Sequence, residues 1–190
     1  MKVVHVKNPE SREACLAKLC ANIYGQDAGL APLVTFAGVL GVLFEQDAAR
    51  LFALTDDEHQ ILSLVMVSSD VDGATMEVGM LSTAEKGAST AHSRELVRIL
   101  AEKAPLRVTA NDKDGEAFFR TCGIERWIDG EDGLRIGLGP RHPAPVQGIL
   151  PSTVRFNGEG ILRTFKQERE TFEHYKSRFL DALARYTPTL

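Results

Sequence analysis

Residues 77–124 decide the fold of this chain, and they read EVGMLSTAEKGASTAHSRELVRILAEKAPLRVTANDKDGEAFFRTCGI. The run begins inside a strand pattern over residues 75–82, and a loop of small residues follows over 83–90. A helix that ends before Pro105 comes next, because four apolar residues share one of its faces: Leu96, Val97, Leu100 and Ala104. Residues 106–110 then form a short strand, so the run predicts a β–loop–α–β unit.

The chain up to residue 140 adds strands and helices on both sides of this unit. Upstream, the patterns predict a strand, two helices and two strands, at residues 3–6, 11–24, 32–46, 50–54 and 60–68. Downstream, a short helix over 115–121 closes at Gly123, and two strands lie within 125–138. The strands before the unit are joined by polar turns typical of antiparallel hairpins. The fold class is therefore α/β (α+β), with a mixed, mostly antiparallel sheet flanked by helices.

Three parts are predicted along the chain. A domain over residues 1–140 is followed by a linker or wrapping arm, rich in proline and glycine, over 141–160. An extra amphipathic C-terminal helix occupies 161–190, where aromatic rings recur every seven residues: Phe165, Phe172, Phe179 and Tyr186. Such rings are costly to leave in water, so the stripe packs on its own domain or on a partner subunit. A homodimer through this helix is the expectation.

The composition excludes several classes of function. The chain has 190 residues, of which 44% are hydrophobic and 25% charged, and its net charge is −4. This charge gives no electrostatic attraction to nucleic acid or to an anionic membrane. Three cysteines without a C-x-x-C pair predict neither a disulfide framework nor a metal site, and they favour the cytoplasm. Residues 28–44 carry no charge, but proline and glycine interrupt them and they are too short to span a membrane.

One segment carries a resemblance to a known family. Asp112 to Ile124, D-K-D-G-E-A-F-F-R-T-C-G-I, resembles the N-x-x-A-x-x-F-Y-x-x-x-G-F segment of the GNAT superfamily, the acyl-CoA-dependent N-acyltransferases. Phe118, Phe119 and Gly123 fit that segment, whereas an aspartate stands at its asparagine. The order of elements in the domain is also similar to this family, so the resemblance implies a GNAT-like fold.

A second resemblance covers residues 77–97, where the family has a strand, an R/Q-x-x-G-x-G/A loop and a helix start. Several backbone amides must point at one pyrophosphate there, so the loop carries no bulky side chains. Ala88, Ala91 and Ser93 stand where the family has Arg, Gly and Gly/Ala. The resemblance implies that acetyl-CoA, or another acyl-CoA, is the co-substrate and binds at Ser82, Thr83, Lys86, Gly87, Ala88, Ser89, Ala91, Ser93 and Phe119.

The resemblance also implies a reaction, which is acyl transfer to a primary amine. Such transfer needs a base for the ammonium and an acid for the leaving thiolate. Glu77 is the candidate base, because its position is similar to the glutamate base of the histone-acetylating branch; a solvated strand-end carboxylate is the alternative. His92 is a second candidate, because the positive end of a helix favours neutral imidazole. Phe119 stands where many members have a tyrosine acid, and Tyr24 is remote from it in sequence.

Two functions are therefore expected. The first is a GNAT-like N-acetyltransferase acting on the amine of a small molecule or a protein. The alternative is a catalytically degenerate GNAT-fold protein that acts as a CoA-binding or protein-interaction module. Small loop residues favour the enzyme, whereas Phe119 and the missing loop arginine, with Lys86 or Arg94 as replacement, favour the alternative. The resemblance also implies a slot between the strand ending near Ser82 and the strand over 106–110, where the pantetheine arm would lie like an added strand.

Overall fold

Seven strands and six helices lie within residues 1–25, 27–85 and 88–190, which are the residues described by the computed structural model. The strands are β1 (Lys2–His5), β2 (Ala49–Thr55), β3 (Ile61–Ser69), β4 (Met76–Thr83), β5 (Leu106–Ala110), β6 (Arg126–Asp129) and β7 (Arg135–Leu138). The helices are α1 (Pro9–Tyr24), α2 (Ala31–Gly38), α3 (Ala91–Lys103), α4 (Lys113–Thr121), α5 (Gly158–Gln167) and α6 (Arg169–Arg185).

The strands form one sheet in the order β1-β2-β3-β4-β5-β7-β6. All neighbouring strands are antiparallel except β4 and β5, which are parallel and are connected through α3. The predicted mixed, mostly antiparallel sheet flanked by helices is confirmed. The predicted strands are found close to their predicted bounds, because period-two patterns and polar turns mark them in the sequence.

Helices cover both faces of the sheet. Successive side chains of a strand point to opposite faces, and the neighbours Leu64 and Val65 of β3 accordingly belong to different core clusters. The cluster on the side of α1 and α2 includes Leu16, Phe36, Leu64 and Phe165. The cluster on the side of α3 includes Leu54, Val65, Leu96 and Val108. The central strands are therefore apolar on both sides, and their edges are where polar chemistry can be placed.

The uncharged run over residues 28–44 forms α2 and a π-helical turn that continues it over Val39–Phe44. Two glycines let other elements approach this helix closely. A Cβ at Gly38 would overlap the ring of Phe156, and one at Gly41 would lie 2.9 Å from the Tyr175 hydroxyl. Within the described residues, no helix combines the length and the apolar character of a membrane span.

The C-terminal region forms two helices where the sequence predicts one. Glu168, with φ −118° and ψ 92°, is extended and separates α5 from α6. No glycine or proline marks this break, so local propensity does not explain it. The break lets Phe165 of α5 and Phe172 of α6 pack against each other, with ring centroids 5.8 Å apart. Tertiary packing therefore sets the break.

The aromatic stripe of α6 packs on the chain's own helices. Phe179 meets Phe36 of α2 edge to face at 5.1 Å, and Ala182 is fully buried. Arg178 donates two hydrogen bonds to Glu13 of α1, at 2.8 and 2.9 Å. Of the two coverings expected for the stripe, the structure shows the intramolecular one. The homodimer stays a prediction.

Phe165 is the buried aromatic residue of α5, so its truncation should destabilise the fold if α5 belongs to the core. Phe165→Ala should lower the free energy of unfolding by about 3–5 kcal/mol, because it leaves a cavity where α5 packs on α2 and α6. Leu180→Ala on α6 is the control, since Leu180 is 53% exposed. Urea unfolding measures both variants, and equal midpoints for the two would show that α5 packs only loosely.

Candidate active site

The two parallel strands of the sheet separate soon after they meet. β4 and β5 pair at two positions, Met76 with Leu106 and Glu77 with Arg107. Directly after that, the register with β3 shifts, so that Gly79 is an extra residue on β4. Such a bulge bends its strand. The strands therefore enclose a wedge-shaped cleft, whose closed end is the second pair and whose open end faces α3, as the resemblance implies.

A cavity of about 440 Å³ occupies this cleft. Its wall comes from α1, α2, β3, β4, β5 and an extended C-terminal stretch, and it includes Tyr24, Thr35, Glu77, Gly79, Asn111 and Phe156. A second cavity, of about 790 Å³, lies against β5 and the turn between β6 and β7. Both cavities have volumes typical of small-molecule sites. They share Glu77, Thr109, Thr153 and Arg155, so these residues stand between the two spaces.

Glu77 is the most constrained polar residue of the site. Its side chain is 12% exposed and forms a buried ion pair with Arg107, at 2.9 Å. Thr153 Oγ1 donates to the same carboxylate oxygen, Oε2, at 2.8 Å, and Thr109 Oγ1 donates to Oε1 at 2.9 Å. Arg155 lies 3.7 Å from Oε2. A carboxylate oxygen has two lone pairs, so Oε2 is saturated and Oε1 keeps one free.

These contacts decide the protonation state of Glu77. Burial alone raises the pKa of this carboxyl, but the hydrogen bonds and the Arg107 charge outweigh burial and hold the pKa below its ordinary value of 4.5. A carboxylate with a lowered pKa is a weaker proton acceptor. The base role of Glu77 stays a prediction, and the geometry adds a second role, which is to hold neighbouring segments together.

The segment held by Glu77 is the arm, defined here as residues 141–157. Arg107 Nη1 donates to the Pro151 carbonyl at 2.7 Å, and the Val154 amide donates to the Ser69 carbonyl at 2.9 Å. Near the start of the arm, His142 Nε2 lies 2.7 Å from the Thr75 hydroxyl. The arm therefore wraps across the closed end of the cleft.

The predicted pyrophosphate loop leads into α3. Lys86 and Gly87 lie outside the described residues. The Ala88 amide donates to the Glu85 carbonyl at 3.2 Å, and the Ala91 amide donates to Ser89 Oγ at 3.3 Å. Thr90, at the N-cap of α3, forms no capping bond with its side chain. Within residues 1–25, 27–85 and 88–190, the next two amides of the helix have no acceptor, so the N-terminus of α3 can receive an anion.

The other predicted cofactor residues are distributed around this helix start. Ser93 is buried, and its hydroxyl lies 2.9 Å from that of Ser63, which ties its side chain to β3. Ser82 and Thr83 end β4, and both are held by Asn22 of α1. Sequence patterns gave no sign of Asn22, because an asparagine within a helix is usually exposed.

Phe119 and His92 are not part of the cleft wall. Phe119 packs edge to face on Phe118, at 5.2 Å between centroids, against the core on the α3 side. His92 is half-buried in the first turn of α3, beyond the C-terminal end of β4. Glu77 lies near the other end of β4, roughly 20 Å away along the strand. The two predicted catalytic residues are therefore not brought together.

Within the parts of the chain that the structure describes, no cluster of three metal-ligating side chains occurs.

No protein-family model and no curated protein sequence matches the chain. Several solved structures are similar in fold. An aminoglycoside 6'-acetyltransferase of type Ii is 13% identical with a TM-score of 0.48, and the match covers 73% of this chain and 95% of that one. A mutant spermidine N-acetyltransferase from Vibrio cholerae is 12% identical with a TM-score of 0.49, over 74% and 95% of the two chains. A protein assigned to the GNAT acetyltransferase family, from Desulfovibrio desulfuricans, is 12% identical with a TM-score of 0.49, over 72% and 95%.

The buried ion pair gives a stability test. Glu77→Gln should lower the free energy of unfolding at neutral pH by about 3–5 kcal/mol, because Arg107 is left buried without its partner. The folded-state pKa of Glu77 is lowered, so its contribution is present above its ordinary pKa of 4.5 and is lost as pH falls through the folded value. The difference between wild type and variant should therefore shrink in acid.

Glu131→Gln is the matched control, since Glu131 is an exposed acid on the wall of the larger cavity. Chemical unfolding at neutral and acidic pH measures all three proteins. Equal stability of the two variants at neutral pH would contradict the structural role of Glu77.

Proposed function

We propose that this chain is a GNAT-like N-acyltransferase that moves an acetyl group from acetyl-CoA to a primary amine. The observation that carries the proposal is the separation of β4 and β5 directly after the Glu77–Arg107 pair, beside the start of α3. A cleft of this kind offers a strand edge and a helix N-terminus together. The pantetheine chain of acetyl-CoA needs the strand edge, and its pyrophosphate needs the helix N-terminus.

The pyrophosphate would bind at the first turn of α3. Among the residues that the structure describes, the amides of His92 and Ser93 have no acceptor, and the positive end of the helix favours negative charge there. Ala88 and Ala91 keep the approach open, because neither carries a side chain beyond Cβ. The loop has no arginine, because Ala88 stands at that position. Arg94, which is exposed in the first turn of α3, would supply the positive charge instead.

The pantetheine chain would lie along β4. Beyond Glu77 the edge of β4 that faces β5 is not paired with it, so backbone groups over residues 78–82 can accept an added strand. The acyl end would then reach the bulge at Gly79, near the closed end of the cleft. Because backbone groups of β4 would hold the pantetheine chain, no particular side chain is required on β4.

The amine would enter from the larger cavity. Asp129, Glu131 and Arg155 line that space. Asp129 is paired with Arg135, so the charge of Glu131 would attract a protonated amine. Glu77 separates this cavity from the cleft, and the free lone pair on its Oε1 is the proposed acceptor for the ammonium proton. His92 lies too far from this point to share the task. Holding amine and thioester on either side of Glu77 supplies the proximity that transfer needs.

We place this activity in the cytoplasm. Cys15, Cys20 and Cys122 are all free and buried, and burial raises the pKa of the Cys122 thiol to about 11. Buried thiols of this kind pack as small apolar side chains and suit a reducing compartment.

The alternative is a CoA-binding module without catalysis. Two observations favour it: Phe119 has no proton to donate, and the contacts of Glu77 weaken it as a base. The two functions differ in whether binding is followed by release of free CoA in the presence of amines.

Ligand-dependent stabilisation tests the proposal. Acetyl-CoA at 100 times its dissociation constant should stabilise the folded chain by about 2.7 kcal/mol, measured as a thermal shift. Ala91→Glu should abolish the shift, because it places a negative charge at the proposed pyrophosphate site. Ala184→Glu, an exposed position on α6, is the control and should keep it.

A panel of primary amines then separates the two functions, with free CoA as the readout. A thermal shift without CoA release across the panel would support the binding module. If wild type shows no thermal shift at millimolar acetyl-CoA, or if Ala91→Glu and Ala184→Glu shift equally, both the acyltransferase and the CoA-binding module are contradicted.

A further inference from the structure

We propose that Tyr24 is the general acid that protonates the leaving thiolate. This inference rests on the proposed acyl transfer and adds a catalytic residue to it. Tyr24 is the last residue of α1, and it is remote in sequence from both strands of the cleft. The structure nevertheless places it in the wall of the cleft cavity, together with Gly79 of β4 and Asn111 at the end of β5.

The end of α1 is fixed against β4. Asn22 Nδ2 donates to the carbonyls of Thr83 and Ala84, at 3.1 and 3.3 Å. These bonds hold the last turn of α1 beside the strand along which the pantetheine chain would lie. Tyr24 is 38% exposed, so its hydroxyl can meet a ligand in the cleft and exchange protons with water.

The hydrogen bond of Tyr24 leaves its proton free. Thr35 Oγ1 of α2 donates to Tyr24 Oη at 2.9 Å. A phenolic hydroxyl has one proton and accepts through its lone pairs, so this bond uses an acceptor site and not the proton. The same bond stabilises the phenolate that remains after the proton is given away. Thr35 is itself 9% exposed, which keeps its hydroxyl in place.

Tyr24 has the hydroxyl proton that Phe119 lacks. Phe119 belongs to the core on the α3 side of the sheet, whereas Tyr24 reaches the cleft from the α1 side. The proton would therefore arrive from the face opposite to α4. A phenylalanine at position 119 then leaves acid catalysis intact.

Acetyl transfer requires proton movements at both the amine nitrogen and the sulfur. The amine nitrogen attacks the thioester carbonyl, a C–N bond forms and the C–S bond breaks. The sulfur leaves with the electron pair of that bond and takes the proton from Tyr24 Oη. One proton of the ammonium passes to Glu77 and then to water before the attack. The nitrogen loses a second proton to water after the C–N bond has formed, which leaves a neutral amide, and water returns one proton to Tyr24.

A binding experiment tests the contact without turnover. Wild type should bind CoA more tightly than desulfo-CoA, and the preference should grow from neutral to alkaline pH, because a donor beside the sulfur favours the thiolate. In Tyr24→Phe the ratio of the two dissociation constants should not change with pH. Isothermal titration calorimetry measures both ratios. A pH-dependent ratio retained in Tyr24→Phe would overturn the inference.

A kinetic experiment tests the proton transfer. Tyr24→Phe should lower kcat for acetyl-CoA by about 100-fold with little change in KM, which is the range expected for loss of a general acid. The selenium analogue of acetyl-CoA has a more acidic leaving group, so the same variant should lose far less with it. Tyr186→Phe is the control, because the Tyr186 hydroxyl has no hydrogen-bond partner within the described residues.

The outcomes separate this inference from the proposed function. If wild type binds neither CoA nor acetyl-CoA, the proposed function fails and the inference fails with it. If wild type binds and transfers the acetyl group but Tyr24→Phe does so equally well, only the inference fails. Equal losses with the sulfur and selenium substrates would also overturn it, since they would show that Tyr24 positions the ligand without donating a proton.

Discussion

The buried ion pair between Glu77 and Arg107 is the interaction on which the candidate site depends. It forms at the last position where β4 and β5 are paired, and the bulge at Gly79 follows at once. Because both charges are buried, removing either one leaves the other without compensation. The pair therefore fixes the closed end of the cleft, and the bulge bends β4 directly after it.

The same pair joins the C-terminal region to the site. Arg107 and Glu77 hold the arm through Pro151 and Thr153, so the arm forms one wall of each cavity. Beyond the arm, α5 and α6 cover α1 and α2, and these two helices supply Tyr24 and Thr35 to the cleft. Residues 141–190 are thus not a separate appendage: they complete a site that the sheet alone leaves open.

The sequence predicts the sheet well because its strands carry local signals, namely alternating patterns and polar turns, and the loop before α3 is recognisable by its small residues. The partners of Glu77 could not be predicted, since Arg107 and Thr153 are distant in sequence and meet it only in the folded chain. The position of Tyr24 beside β4 could not be predicted for the same reason. The break at Glu168 has no local signal, because it is imposed by the packing of α5 and α6. Lys86 and Gly87, predicted to contact the pyrophosphate, lie outside the described residues.

A crystal structure of the chain with CoA tests the central claim most directly. We expect the pantetheine chain beside residues 78–82 of β4, the pyrophosphate at the first amides of α3, and the Glu77–Arg107 pair intact at the closed end. A structure in which β4 and β5 are hydrogen-bonded along their whole length, or in which CoA binds away from the cleft, would contradict it.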